Sequence, residues 1–296
     1  MVNTLSRNVA AIQRRADRLR YRLRRMVRRR QADEAGLVFI HHSCGNDWLL
    51  RALDAQLLAS NWIGPCSSIT YGVDVSPDPG RPDSLHRERP PGDYTDMHHW
   101  IRWFNDYFEG IKAFGRAGGQ NRIVMFKSCF PNSNIAADGE EPGSPWAQAR
   151  SLTNYKALFR HPAGPGKLYT FQGHDYRPLE QIFGQHPTTT FIAVTAPPRH
   201  FAPKDATTDA EAARARSFNT WLKDEWLTAY KAAYPGLNNV IVFDWFDFLA
   251  YAEDHPEHPN RLKAVYGGAS GDSHPNRRAA RESTEVFLQC LAAESV

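Results

Sequence analysis

The chain has 296 residues, 42% apolar and 23% charged, a globular composition that excludes a disordered chain. No apolar run approaches the roughly eighteen residues of a membrane span, and no hydrophobic h-region follows the basic start. The net charge of +4 is localised: residues 1–31 hold eleven Arg against one Asp, a balance of +10, so the remainder carries −6.

Residues 1–33 read as a basic arm, with Val9, Ile12, Ala16, Leu19, Leu23 and Met26 at steps of three and four and Arg on the other faces. Such an amphipathic helix suits an anionic membrane surface, a nucleic acid or an acidic partner; the plain alternative is a solvated extension. The domain is expected over 34–296. Cytoplasmic location, with membrane-peripheral contact through residues 1–31, is the expectation from the missing export signal. Cys44, Cys66, Cys129 and Cys290 are too few and scattered for a disulfide scaffold. Cys44 and Cys129 flank two loops expected at the site, where a bridge or a pair of small buried thiols would both fit.

Leu37-Val38-Phe39-Ile40 reads as a buried strand running into His41-His42-Ser43-Cys44-Gly45. Gly45 allows a tight turn, and Asn46 or Asp47 can cap a helix from Trp48 to Ser60. Strand, hydroxyl, sharp turn and helix is how a nucleophilic Oγ is exposed at a sheet's carboxyl end; the alternative is a capping Ser. A second strand, Ser67 to Tyr71, ends at Gly72. Residues 76–93 read as a long surface loop. An aromatic helical face follows at Met97, Trp100, Ile101, Trp103, Phe104, Tyr107, Phe108 and Ile111: core, or a sugar platform if one Trp reaches a pocket mouth.

Arg122 to Phe126 forms the third strand, entering the polar stretch Lys127-Ser128-Cys129-Phe130-Pro131-Asn132-Ser133-Asn134. A helix is expected over 147–160 and a short hairpin near Lys167 to Phe171. The fourth strand, Thr189 to Thr195, stops at Pro197-Pro198. A Thr or Asp near 207–209 caps a helix over 209–233, the fifth strand is Val240 to Asp244, and a last helix runs from Arg277 to Leu291. Five apolar strands alternating with helices predict a doubly wound parallel sheet covered on both faces. Ser43, Gly72, the 127–134 loop, Pro197-Pro198 and Asp244 all fall at strand carboxyl ends, where such sheets hold their sites.

A Ser hydroxyl needs a base, and His274 in Gly271-Asp272-Ser273-His274-Pro275-Asn276 is the best candidate, with Asp272 to orient it. A backbone N–H at 43 or 44, the N–H of Gly72 and the amide of Asn132 would supply an oxyanion hole. In this order of Ser, Gly, Asn and Asp-His blocks, residues 36–295 resemble the SGNH (GDSL-like) hydrolases. The resemblance implies a three-layer flavodoxin-like fold and hydrolysis of carboxylic esters by Ser43, His274 and Asp272. It also implies an oxyanion hole of Ser43, Gly72 and Asn132, with no cofactor.

Three blocks depart from the family pattern. His41-His42-Ser43 replaces Gly-Asp-Ser. Lys127 to Asn134 replaces Gly-x-Asn-Asp, leaving Asn134 as a substitute for Asn132. Asp272 is two residues before His274 rather than three, leaving Asp244 or Asp247 as the other acids. An α/β-hydrolase has the same order of Ser, acid and His, but its G-x-S-x-G motif is missing. His41-His42, His98-His99 and His255-x-x-His258 lack metal-site spacing, so no metal is expected, and no nucleotide fingerprint is present. Cys129 has no His near it in sequence. Eight Trp and eleven Tyr fit an acylated glycan substrate as well as an aromatic core. The functions open at this level are an esterase or deacetylase, an O-acyltransferase using the same residues, and a non-catalytic binding or scaffolding module.

Overall fold

The computed structural model describes residues 16, 19, 36–60, 63, 66–71, 77–78, 81–85, 97–116, 119–147, 149–202 and 207–294. Of the basic arm only Ala16 and Leu19 are described, both helical and exposed; the rest of it and Gly72 lie outside the described residues. Strand β1 (Leu37–His41) leads into α1, which runs as Ser43–Trp48, a π-helical turn at Leu49–Leu53, and Asp54–Ala59. Strand β2 (Ser67–Thr70) follows, then a small antiparallel pair, β3 (Pro77–Asp78) with β4 (Arg81–Leu85), inside the stretch expected to be loop. Helices α2 (Trp100–Asp106) and α3 (Phe108–Ala113) precede β5 (Ile123–Lys127). After α4 (Leu152–Phe159) come the hairpin β6 (Tyr169–Phe171) and β7 (His174–Tyr176), then α5 (Leu179–Gln185) and β8 (Thr190–Val194). Helix α6 begins at Asp209–Thr220 and continues through Trp221–Trp226 and Leu227–Ala233. Strand β9 (Val240–Phe243), α7 (Trp245–Leu249) and α8 (Arg277–Ala293) complete the chain.

The main sheet has the order β2-β1-β5-β8-β9, every pair parallel. This is the three-layer, flavodoxin-like doubly wound fold. Its strands read as unbroken apolar runs because both faces are covered. Val38, Ile40, Val124, Phe126, Phe191 and Ala193 enter the core under α2, α4, α5 and α6. The intervening Leu37, Phe39, Ile123, Met125, Ile192 and Val194 enter the core under α1 and α8. A period of two thus divides each strand between two cores.

Two helix starts differ from the sequence expectation and two helices add to it, each for a local reason. Helix α1 starts at Ser43, not Trp48, with His42 as an extended N-cap and no side-chain cap. Asn46 N–H donates to His42 O at 2.8 Å, closing the first turn directly after the strand. Asp47 pairs with Arg51 at 2.9 Å instead of capping. Helix α4 starts at Leu152, not 147, capped by Ser151, whose hydroxyl accepts from Asn154 N–H. Helices α5 and α7 were not expected: α5 buries Leu179, Ile182 and Phe183 at helical spacing, and α7 is capped by Asp244. The cap of α6 is as expected, a reciprocal box between Thr208 and Glu211. Trp100 and Trp103 are 1% and 0% exposed, so the aromatic face of α2 is core rather than a sugar platform.

Candidate active site

Ser43 stands at the carboxyl end of β1, the strand at which the chain order of the sheet reverses. Crevices at such switch points are the usual ligand sites of open parallel sheets. The chain can turn straight from strand to helix because residue 45 is Gly. A Cβ there would overlap the Cβ of His41 and come within 3.1 Å of the Phe39 ring. With no side-chain cap, the first N–H groups of α1 are left for an anion.

His274 reaches Ser43 from the loop before α8. Its Nε2 lies 2.8 Å from Ser43 Oγ and its Nδ1 2.6 Å from Asp272 Oδ1. The same Oδ1 accepts the His274 backbone N–H at 3.0 Å. The two-residue spacing thus lets one oxygen hold both backbone and ring. Gly271, at φ +75°, supplies the left-handed turn before it. Two further bonds fix the loop: His200 N–H donates to Ser273 Oγ at 3.1 Å, and Arg51 donates to Pro275 O at 2.8 Å. Phe130 sets its ring edge to face with His274 at 5.2 Å, and the Arg199 guanidinium covers Phe130 at 5.6 Å. Nothing in the sequence marked Phe130 or Arg199; their loops alone were at the expected strand ends.

Burial works against a charged His274, but its hydrogen bond to Asp272 and that carboxylate's charge outweigh it, so its pKa lies above the usual value. Asp272 is likewise opposed by burial and held below the ordinary carboxylate range by His274. The arrangement favours a proton on the imidazole once it has been taken from Ser43. Asp244 and Asp247 are committed elsewhere: Asp244 accepts from Thr195 and pairs with Lys223 at 3.3 Å, and Asp247 pairs with Arg216.

Asn132 is 2% exposed in the turn after β5, and its Oδ1 accepts from Tyr155 OH at 3.4 Å. Asn134 turns the other way, its amide donating to Glu211 at 2.8 Å in the capping box of α6. Gly72 lies outside the described residues; its predecessor Tyr71 donates its N–H to His41 O at 3.0 Å and stacks on His42 at 5.2 Å.

The two rings of the histidine pair turn to different partners. His41 is fully buried; its Nδ1–H donates to His42 O at 3.0 Å and its Nε2 lies 2.8 Å from Ser68 Oγ. Burial pushes its pKa down from 6.5 to about 3, so it is neutral. His42 instead turns to Ser43, its Nδ1 3.3 Å from Ser43 Oγ. His255 and His258 stack with Tyr251 and Phe201. Among the described residues no group of His, Cys, Asp and Glu could hold a metal ion.

Beside Ser43 lies a thiol the sequence could not assign. Cys129 Sγ is 3.5 Å from Ser43 Oγ. All four cysteines are free. Lys127, at the end of β5, is 1% exposed; its Nζ donates to Ser128 O at 2.9 Å and sits 5.3 Å from the Trp245 ring centre.

No family model and no curated protein matches the chain. Among solved structures it is similar to a candidate acylhydrolase from Bacteroides fragilis, with a TM-score of 0.46 and 11% identity over 93% of this chain and 95% of that one. A second solved chain gives a TM-score of 0.42 and 13% identity over 89% of this chain and 99% of that one. Among the described residues no helix is long and apolar enough to cross a membrane.

Proposed function

We propose that the chain is a divergent serine hydrolase of the SGNH type that cleaves a small carboxylic ester. The observation that carries this reading is the continuous hydrogen-bonded chain from Ser43 Oγ through His274 to Asp272 Oδ1. In the first half-reaction Ser43 Oγ attacks the ester carbonyl and gives its proton to His274 Nε2. Asp272 keeps the imidazole in the Nδ1–H tautomer and stabilises the cation that forms. The developing oxyanion is met by the N–H groups opening α1, the N–H of Gly72 and the Asn132 amide, donors worth several kcal/mol in such a setting. His274 then protonates the leaving alcohol. Water, activated by the same imidazole, releases the acyl group from Ser43.

The test is labelling by a fluorophosphonate, with Ser43→Ala and His274→Ala beside the wild type. Labelling that both substitutions abolish is the expected result, and ester hydrolysis that survives Ser43→Ala unchanged would sink the reading. Assaying p-nitrophenyl acetate beside an acetylated sugar then decides whether the substrate is an O-acylated carbohydrate. The fully buried Trp48, Trp100, Trp103, Trp226 and Trp245 are core and lend that narrower reading no weight.

A further inference from the structure

Ser43 Oγ has a second imidazole beside it, one that the Ser43–His274–Asp272 chain leaves without a task. His42 Nδ1 lies 3.3 Å from Oγ, and His274 Nε2 lies 2.8 Å from the same atom. A hydroxyl carries one proton and two lone pairs. Asp272 keeps the His274 proton on Nδ1, so Nε2 is the acceptor and takes the Oγ–H. Oγ then has no proton left for His42. The network therefore assigns the proton to His42 Nδ1, which donates it to an Oγ lone pair. The remaining neighbour, Cys129 Sγ at 3.5 Å, is at most a weak donor.

The fold holds that ring in place from two directions. The His42 carbonyl accepts from Asn46 N–H at 2.8 Å and from His41 Nδ1–H at 3.0 Å, which pins its backbone. The imidazole lies against Tyr71, with centroids 5.2 Å and planes 23° apart. Tyr71 is buried, ties its own N–H to His41 O at 3.0 Å, and meets the edge of Trp100 at 5.9 Å. A side chain whose rotamer is locked by its neighbours can present a donor at a fixed place.

We propose that His42 is a second catalytic imidazole, whose Nδ1–H stabilises the electron pair returning to Ser43 Oγ when the acyl-enzyme breaks down. The role rests on Ser43 being the nucleophile. Water adds to the acyl carbonyl and gives a proton to His274 Nε2. As the carbonyl reforms, the C–Oγ bond breaks, its electron pair goes to Oγ, and the His274 proton follows, releasing the carboxylic acid. His42 moves no proton. Its hydrogen bond strengthens as Oγ turns from an ester oxygen, a poor acceptor, into one carrying negative charge. An interaction stronger in the transition state than before it accelerates that step. In acylation the same bond holds electron density that must attack, so its benefit there is smaller.

Stopped-flow hydrolysis of p-nitrophenyl acetate separates the two steps. The burst reads acylation, the steady state reads deacylation, and the burst amplitude counts folded sites. In His42→Ala the steady-state rate per site is expected to fall by about 10–100-fold, as for a lost hydrogen bond to a charged group, and the burst rate by less. Two further variants divide the donor from the ring. His42→Asn keeps an N–H donor near the Nδ1 position and should recover most of the deacylation lost in His42→Ala. His42→Phe keeps a ring on Tyr71 without the donor and should match His42→Ala. The reverse order, with Phe near wild type and Asn impaired, overturns the proposal in favour of packing. Equal losses in burst and steady state overturn it as well. Wild type that takes no fluorophosphonate and gives no burst overturns the nucleophile itself. Wild type that labels and turns over, beside a His42→Ala that deacylates at the same rate, overturns the second imidazole alone.

Discussion

In the proposed reaction the His274 imidazole does two jobs that its surroundings tune together. Because Asp272 holds its pKa above 6.5, the neutral base is lost at a higher pH than for a free imidazole. The acid limb of kcat/KM is therefore expected to have its midpoint above pH 6.5. Asp272→Asn removes the cause, so the limb moves to lower pH while kcat falls by about 10²–10⁴-fold. A limb that stays in place in that variant would assign the titration to another group. The two Asn residues separate just as sharply. Asn132→Ala is expected to cost about 10²–10³ in kcat with little change in KM, as for loss of one oxyanion donor. Asn134→Ala should leave kcat intact, since its amide belongs to Glu211. Steady-state kinetics on both variants checks the assignment, and equal losses would contradict it.

Among the elements, β1 and α1 act as one device. The helix can begin at Ser43 only because Gly45 lets its first turn lie against His41 and Phe39. Gly45→Ala forces that turn away from the strand. A loss of about 1–3 kcal/mol is expected from such overpacking, and urea unfolding measures it. The same displacement moves Ser43 from its 2.8 Å contact with His274, so fluorophosphonate labelling should slow even in the fraction that remains folded. Unchanged stability and labelling would mean the turn is looser than its packing implies. The acid loop is built to the same logic: Ser273, Pro275 and the Asp272 turn each bind a different neighbour, so His274 is held from three sides.

For the molecule as a whole, the site adds a pH dependence to folding. His41 has a folded pKa of about 3 against 6.5 when free, so the unfolded chain binds the proton more readily. Its contribution is complete above pH 6.5 and is lost as pH falls toward 3, with a slope approaching about 1.4 kcal/mol per pH unit. His274 has the opposite sign: its raised pKa contributes stability that is full below its free value and lost as pH rises, so it adds no slope in the acid range. Urea denaturation of the wild type between pH 7 and 4, beside His41→Gln, should show the slope in the first and a flatter profile in the second. Parallel profiles would assign acid sensitivity to other groups.

The five main strands and the carboxyl-end position of the candidate site were legible in the sequence. A strand buried on both faces leaves an apolar run that no loop would carry, and parallel strands joined by helices put all their carboxyl ends on one side. Ser43, His274 and Asp272 were legible because each sits in a polar block just after a strand or before a helix. What one dimension could not hold was mutual direction. Asp272 at two residues from His274, and Asn132 beside Asn134, are equivalent as letters; a single turn decides which side chain faces inward. The start of α1 at Ser43 depended on a close approach of the Gly45 backbone to the His41 and Phe39 side chains, a contact that no propensity encodes. The thiol beside Ser43 came from β5 lying next to β1, a neighbour relation 86 positions apart in the chain. Composition and periodicity determine which residues must be buried; only the packed sheet determines which of the remaining polar groups meet.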